Sequence, residues 1–428
     1  MAAEKGKAAG RTVWWKSWKL RLLMLVAVLG PGFITANVDN DANGILTYSQ
    51  AGAQYGYSLL WTMIPITIAL IVVQEMCARM GAVTGKGLSD LIREEFGLRM
   101  TFFTMILLVI VNFSNVVGEF TGIAGSLGLF HISKFVSVPI CAVLVWLLVV
   151  KGDYKKVEKV FLTASVFYIA YIVAGVLSGP KWHEALLETV KLPPRKSWDD
   201  KGYVYMTVAV IGTTIAPWMQ FYLQSSVVDK GITVRQYKAS RLDVIIGSIF
   251  TDVVAWFIIV ACAATLFTHG IKNISDASVA ALAMKPLAGD YAYLLFAAGL
   301  FNASLFAASI LPLSTAYTVC EGLGFESGLD KTWREAPFFY WFYTLLIALG
   351  GATILIPRFP MYQVVIFSQV LNGLLLPLVL VFMLKLINKH ELMGKYTNKR
   401  WFDVLAWVTV VIVTGLSLVY VWNLVHGG

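Results

Sequence analysis

Apolar stretches of about twenty residues recur from one end of this 428-residue chain to the other, and that recurrence leaves few folds open. Inside a bilayer every backbone N–H and C=O must find its partner within the protein, so only helices and closed barrels can span it. The runs here are too long and too continuous for the alternating strands of a barrel. Hydrophobic residues make up 58% of the chain and charged ones 14%, with a mean hydropathy of +0.72, more than a soluble core requires. The expectation is an all-α polytopic membrane protein with no soluble domain of useful size.

Eleven transmembrane helices are predicted, over residues 22–53, 57–80, 101–130, 135–151, 158–178, 203–229, 242–268, 290–320, 337–356, 362–387 and 402–425. The first and sixth carry breaks and stand five spans apart. An odd number of spans per unit inverts the second unit, so spans 1–5 and 6–10 are expected to form an inverted repeat. Broken helices 1 and 6 would then meet near the midplane, with helix 11 peripheral. Residues 1–21 are expected to be a basic cytoplasmic N-terminus, 22–178 the first five-helix repeat and 179–202 an extracellular loop. Residues 203–388 would be the second, inverted repeat, and 389–428 a cytoplasmic loop with the eleventh helix.

Charge sets the orientation. Most of the 34 Lys and Arg fall in loops on the side of the N-terminus, which places that end in the cytoplasm of a plasma (inner) membrane protein and the C-terminus outside. The net charge of +9 belongs to this topology and not to a nucleic-acid partner. The loop 179–202 is the exception, with five basic residues among Glu184, Glu188, Asp199, Asp200 and Pro193-Pro194, and reads as a small ordered cap. The opening run with Trp14, Trp15 and Trp18 among Lys and Arg reads as an interfacial anchor, not a cleaved signal. Cys77, Cys141, Cys262 and Cys320 lie in separate apolar segments and read as small buried hydrophobes.

Within the first span, Gly30 to Gly44 holds Asp39, Asp41, three Asn and three Gly. Ionisable groups at that depth cost about 2.5–3.5 kcal/mol on insertion scales and mark function. Asn and Gly supply turns readily, so the helix is expected to unwind and free carbonyls as ligands. Asp41 is the leading metal ligand, since no Lys or Arg inside a span stands ready to pair with it. Asp39 either contacts the ion through water or lines its entry. Asn43 either offers an amide oxygen or caps the following half-helix, and the two roles are compatible. In the sixth span Pro217 opens the preceding turn, making Thr213 and Ala216 candidate carbonyl donors.

Ser368, Gln369 and Asn372 share a helical face in the tenth span, as ion ligands or as polar glue between helices. Glu119 in the third span is either neutral and buried, a proton relay, or part of the ion path; Asp252 and Asn302 are weaker candidates of the same kind. All five His lie in loops or at span ends, and neither break holds Cys or Met. Carboxylate, amide and carbonyl oxygens suit hard cations such as Mg²⁺ and Mn²⁺. No ATP-binding loop or catalytic triad is present, so an enzyme is not expected, nor is a cofactor.

These motifs resemble the Nramp family of divalent-metal transporters. The similarity runs from Gly30-Pro31 through Asp41 to Gln50-Ala51-Gly52-Ala53-Gln54-Tyr55-Gly56-Tyr57, then through Ala82-Val83-Thr84-Gly85-Lys86-Gly87-Leu88, Ile211-Gly212-Thr213-Thr214-Ile215-Ala216-Pro217 and Ser368-Gln369-Val370. It implies the eleven-helix, inverted-repeat transporter fold, and the chain is expected to act as a monomer in the lipid bilayer. Where the family reads Asp-Pro-Gly-Asn, this chain reads Asp41-Ala42-Asn43-Gly44, so Gly44 stands at the family's Asn position. The family's Met-Pro-His is Ala216-Pro217-Trp218, and an Asp of the third helix is Val116. Losing the thioether removes a soft ligand and opens the site, which resembles the Nramp-related magnesium transporters. The resemblance implies uptake of partly hydrated Mg²⁺, with Mn²⁺ accepted, by alternating access and without obligatory proton flow. The alternatives are an ordinary proton-coupled Mn²⁺ or Fe²⁺ symporter and, less favoured by two acids in the first break, an amino-acid transporter of the same fold.

Overall fold

The computed structural model describes residues 30–152, 159–160, 168–274, 277–357, 359 and 361–426. The basic N-terminus, residues 22–29 of the first span and much of the first half of the fifth therefore lie outside the described residues. Among the described residues the regular structure is entirely helical.

Span one is two half-helices, α1 (Pro31–Val38) and α2 (Ala42–Tyr55). Pro31 begins α1 where its missing N–H costs nothing, and Asp41 caps α2. A 3₁₀ turn, Gly56–Thr62, leads into α3 (Met63–Thr84), which stops at Gly85 in the left-handed region, φ 64°. The amphipathic connector α4 (Leu88–Phe96) precedes α5 (Leu98–Gly128), α6 (Lys134–Val150) and α7 (Ile169–Leu177). The second half begins with a short α8 (Trp182–Val190) and the broken pair α9 (Lys201–Thr214) and α10 (Pro217–Asp229). It continues through α11 (Tyr237–Thr265), α12 (Ala277–Leu323), α13 (Pro337–Leu355) and α14 (Met361–Ile387). A short α15 (His390–Met393) and the final α16 (Arg400–His426) complete the chain.

The helix pairings exchange under a shift of five spans. The two broken helices touch each other, α3 packs on α11, and α5 on α12. Span one rests on α11 as α10 rests on α3, and α7 meets α12 as α14 meets α5. Such reciprocity is what a pseudo-two-fold between units of five produces. Eight helices among the described residues are long and apolar enough to cross a bilayer, and Lys134–Val150 is a shorter apolar one. The connection 179–202 is helical in part and packs on the 3₁₀ turn, with Trp198 edge-on to Trp61 at 5.8 Å and Lys181 N–H donating to the Tyr57 hydroxyl at 3.3 Å.

The helix that carries the eighth span runs from Ala277 to Leu323, longer than the expected span of 290–320. One sequence expectation needs correcting. Basic residues do occur within the spans, Arg79 in the last turns of α3 and Lys385 near the end of α14. Arg79 is buried and paired with Glu75 at 3.1 Å, and its remaining bonds go to the 396–398 loop. Its partners keep it away from the first break.

Candidate metal centre

The first break covers Asp39, Asn40 and Asp41, all buried. In an unbroken helix the Ala42 N–H would serve the Val38 carbonyl; here it donates to Glu119 Oε2 at 3.1 Å. Asp41 accepts the Gly44 N–H at 2.6 Å. Two carboxylates thus adjoin at the N-terminus of α2, where the half-helix presents its unsatisfied donors and positive dipole end. Gly44 is required by packing: a Cβ there would sit 2.2 Å from the Asp39 carbonyl oxygen, which folds back over it.

Asn43 does not cap α2, since Asp41 does. Its amide donates to Glu119 Oε1 at 2.5 Å and to the Asn115 carbonyl at 3.1 Å, while its own buried Oδ1 finds no partner. Asn115 carries the connection to span ten. Its Oδ1 accepts from Gln369 at 3.0 Å and Asn372 at 3.4 Å, and Asn372 donates to Gln369 Oε1 at 3.0 Å. Gln369 and Asn372 therefore join one amide network with Asn43 and Glu119. Ser368 donates to the Val365 carbonyl and accepts from Gln369.

Asp39 faces away from Asp41's partners. Its Oδ2 accepts the Tyr48 hydroxyl at 3.1 Å, and Tyr48 also touches Thr214 Oγ1 at 2.8 Å, which links the two broken helices. Asn40 donates to the carbonyl and the hydroxyl of Thr251 at 2.9 and 2.6 Å, tying the break to α11. Beside it Asp252 lies within electrostatic reach of Asp39. Asp39 Oδ1 and both Asp252 oxygens are buried and make no hydrogen bond of ordinary length among the described residues, although the Thr67 hydroxyl stands near Asp252. Buried carboxylates in that condition are expensive unless something positive answers them.

The second break consists of Ile215 and Ala216. Pro217 lacks the N–H that the Thr213 carbonyl would accept, so that oxygen is released. The Ala216 carbonyl accepts the Met219 N–H at 3.1 Å, and the Gln220 side-chain amide, oriented so that both its ends are satisfied, donates to the same oxygen at 2.6 Å. Gly212 in the preceding turn lets span ten approach, for a Cβ there would meet the Gln369 carbonyl at 2.1 Å. Trp218 is buried beside Tyr222, and the hydroxyl of Ser314 holds its carbonyl at 3.1 Å. Among the described residues no three His, Cys, Asp or Glu side chains form a metal cluster, so neutral oxygens must complete any cation site.

Residues 32–423 match the family described as natural resistance-associated macrophage protein-like, Nramp. The chain belongs to the Nramp family. Among Nramp relatives, the divalent metal cation transporter MntH of Deinococcus radiodurans is 26% identical over 414 residues, covering 94% of this chain and 91% of its own length. MntH of Klebsiella pneumoniae (strain 342) is 28% identical over 400 residues, covering 92% and 93%. A solved manganese transporter of Eremococcus coleocola superposes with a TM-score of 0.73 at 22% identity, covering 95% of this chain and 87% of that one. The nucleobase-cation-symport transporter Mhp1 superposes with a TM-score of 0.57 at 14% identity, covering 92% of each chain. These two likenesses speak to the fold alone.

Several residues of this candidate site carry no motif of their own. Asn115 lies one turn before Glu119, and Asn112, Asn115 and Glu119 share a helical face, a polar stripe inside an apolar helix that was the available signal. Tyr48 and Thr214 read as ordinary buried residues until the two breaks come together. Asp243 accepts the N–H groups of Gly30 and Gly32 at 2.8 Å and of Phe33 at 3.1 Å, capping α1 from 211 residues away in the case of Gly32.

Proposed function

We propose that this Nramp chain transports divalent cations across the plasma membrane, carrying Mg²⁺ with Mn²⁺ also accepted, by alternating access and without obligatory proton flow. The observation that carries the reading is the first break, where the Asp41 and Glu119 carboxylates adjoin at a buried helix N-terminus with no basic side chain among the described residues bonded to either. A divalent cation is the natural counter-charge there.

In this reading Asp41 binds the ion directly, with the carbonyls of Thr213 and Ala216 and the amide oxygens of Asn43 and Gln369 as neutral donors. Glu119 and Asn372 orient that set, Gly44 gives the unwound chain its room, and Trp218 walls the path. Asp39 and Asp252 receive the ion's outer waters, which accounts for carboxylate oxygens left without a hydrogen bond of ordinary length among the described residues. Mg²⁺ keeps several waters, and an alanine at 216 offers no sulfur to a softer metal. The chain is proposed to act as a monomer, N-terminus inside and C-terminus outside.

The test is Mg²⁺ and Mn²⁺ uptake into vesicles holding the parent protein or Asp41→Ala. Loss of both fluxes, beyond the roughly 10–100-fold that outer partners of a metal site contribute, is expected. Uptake undiminished by the change would remove Asp41 from the site. A second reading, a proton-coupled Mn²⁺ symporter, fits the manganese transporter of Eremococcus coleocola in its ion as well, and proton flow separates the two.

A further inference from the structure

Away from the transport path, three helix ends converge on the face that carries the basic loops. Glu75 and Arg79 of α3, Tyr237 and Arg241 of α11, and Lys395, Tyr396, Thr397, Lys399, Trp401 and Phe402 line a cavity of about 230 Å³. Four cations thus meet a single carboxylate. That carboxylate is already engaged, accepting Arg79 Nη2 at 3.1 Å and the Tyr237 hydroxyl.

Arg79 is a built part of the wall. Its guanidinium donates to the Tyr396 carbonyl at 3.0 Å and to Asn398 Oδ1 at 2.5 Å, and stands 5.3 Å above the Phe402 ring. The residue is only 8% exposed, yet its Nε–H has no partner among the described residues. Arg241, Lys395 and Lys399 form no ion pair among the described residues. A concave wall with an excess of cations and an unsatisfied guanidinium donor matches the oxygens of a phosphate.

What lies beside the cavity distinguishes a lipid from a soluble anion. Trp401 is 61% exposed at its rim, where an amphipathic indole suits the headgroup level. From it Val404, Val408 and Val411 continue an exposed apolar stripe at helical spacing along α16. We infer that this cavity binds the phosphate of an anionic phospholipid, with an acyl chain lying along the α16 stripe. The bound lipid then joins α3, α11 and α16 at one point, so its presence favours the arrangement in which these three ends stand together.

The experiment is lipid binding to the full-length protein in detergent, read by native mass spectrometry and by thermal stability, with phosphatidylglycerol, phosphatidylcholine and inorganic phosphate as probes. Phosphatidylglycerol should be retained and raise the melting temperature, and the other two should not. Replacing Arg241→Gln together with Lys399→Gln should weaken phosphatidylglycerol binding roughly 10–30-fold, whereas Lys230→Gln with Arg235→Gln on the same face should leave it unchanged. Arg79 is left intact because its ion pair with Glu75 holds the wall. Equal losses in the two double variants would mean diffuse surface attraction and overturn the inference. So would inorganic phosphate matching the lipid's effect, or phosphatidylglycerol binding that ignores Arg241 and Lys399.

Discussion

Gly118 and Asn43 pack so closely that a Cβ added to the glycine would stand 1.7 Å from the amide oxygen of Asn43. Glu119, next in the chain, holds the other end of that amide at 2.5 Å. Helix α5 therefore needs a residue without a side chain at 118 to bring its carboxylate onto the N-terminus of α2.

Gly118→Ala should accordingly displace Asn43 and uncouple it from Glu119. Overpacking of this kind costs about 1–3 kcal/mol. A lower melting temperature together with reduced uptake of both ions is expected; unaltered melting and flux would mean that the two helices can part at this point without loss.

Ala216→Met restores a thioether at the second break. Preference in competition assays should move toward Mn²⁺ by about tenfold, or roughly 1.4 kcal/mol, because a polarizable sulfur rewards the transition metal and not Mg²⁺. An unaltered ratio would place selectivity elsewhere.

Mg²⁺ uptake should leave the vesicle lumen's pH unchanged. Val116 and Trp218 stand where the resemblance places an Asp and a His, so two groups able to pass protons are replaced. Acidification that rises in step with Mg²⁺ entry, followed by a trapped pH dye, would establish the symporter reading instead.

Asp252→Asn keeps the shape and removes the charge. If Asp252 receives waters of the hydrated ion, half-saturation for Mg²⁺ should rise about 10–100-fold, in the range for outer partners of a metal. Mn²⁺, which parts with water more easily, should suffer less. Identical kinetics in parent and variant would mean that this carboxyl is already neutral and plays no part.

The spans were readable because a bilayer leaves the backbone no partner but itself, and every crossing must be written in about twenty apolar residues. The breaks were readable for a related reason, since Asn37 to Gly44 and Pro217 are residues that an apolar helix has no use for. Partnerships across the fold were not. Nothing local distinguishes Asn115 from interhelical glue, and Asp243 acquires meaning only when α11 comes to lie against Gly30 and Gly32. Arg79 carries no local signal of its role, because it lies in the last turns of its span and its side chain reaches a loop more than 300 residues onward.

The Tyr48 hydroxyl touches Asp39 and Thr214 at once, and the Thr214 proton is already given to the Val210 carbonyl at 2.8 Å. Tyr48 therefore has one hydrogen to divide between two acceptors, one on each broken helix.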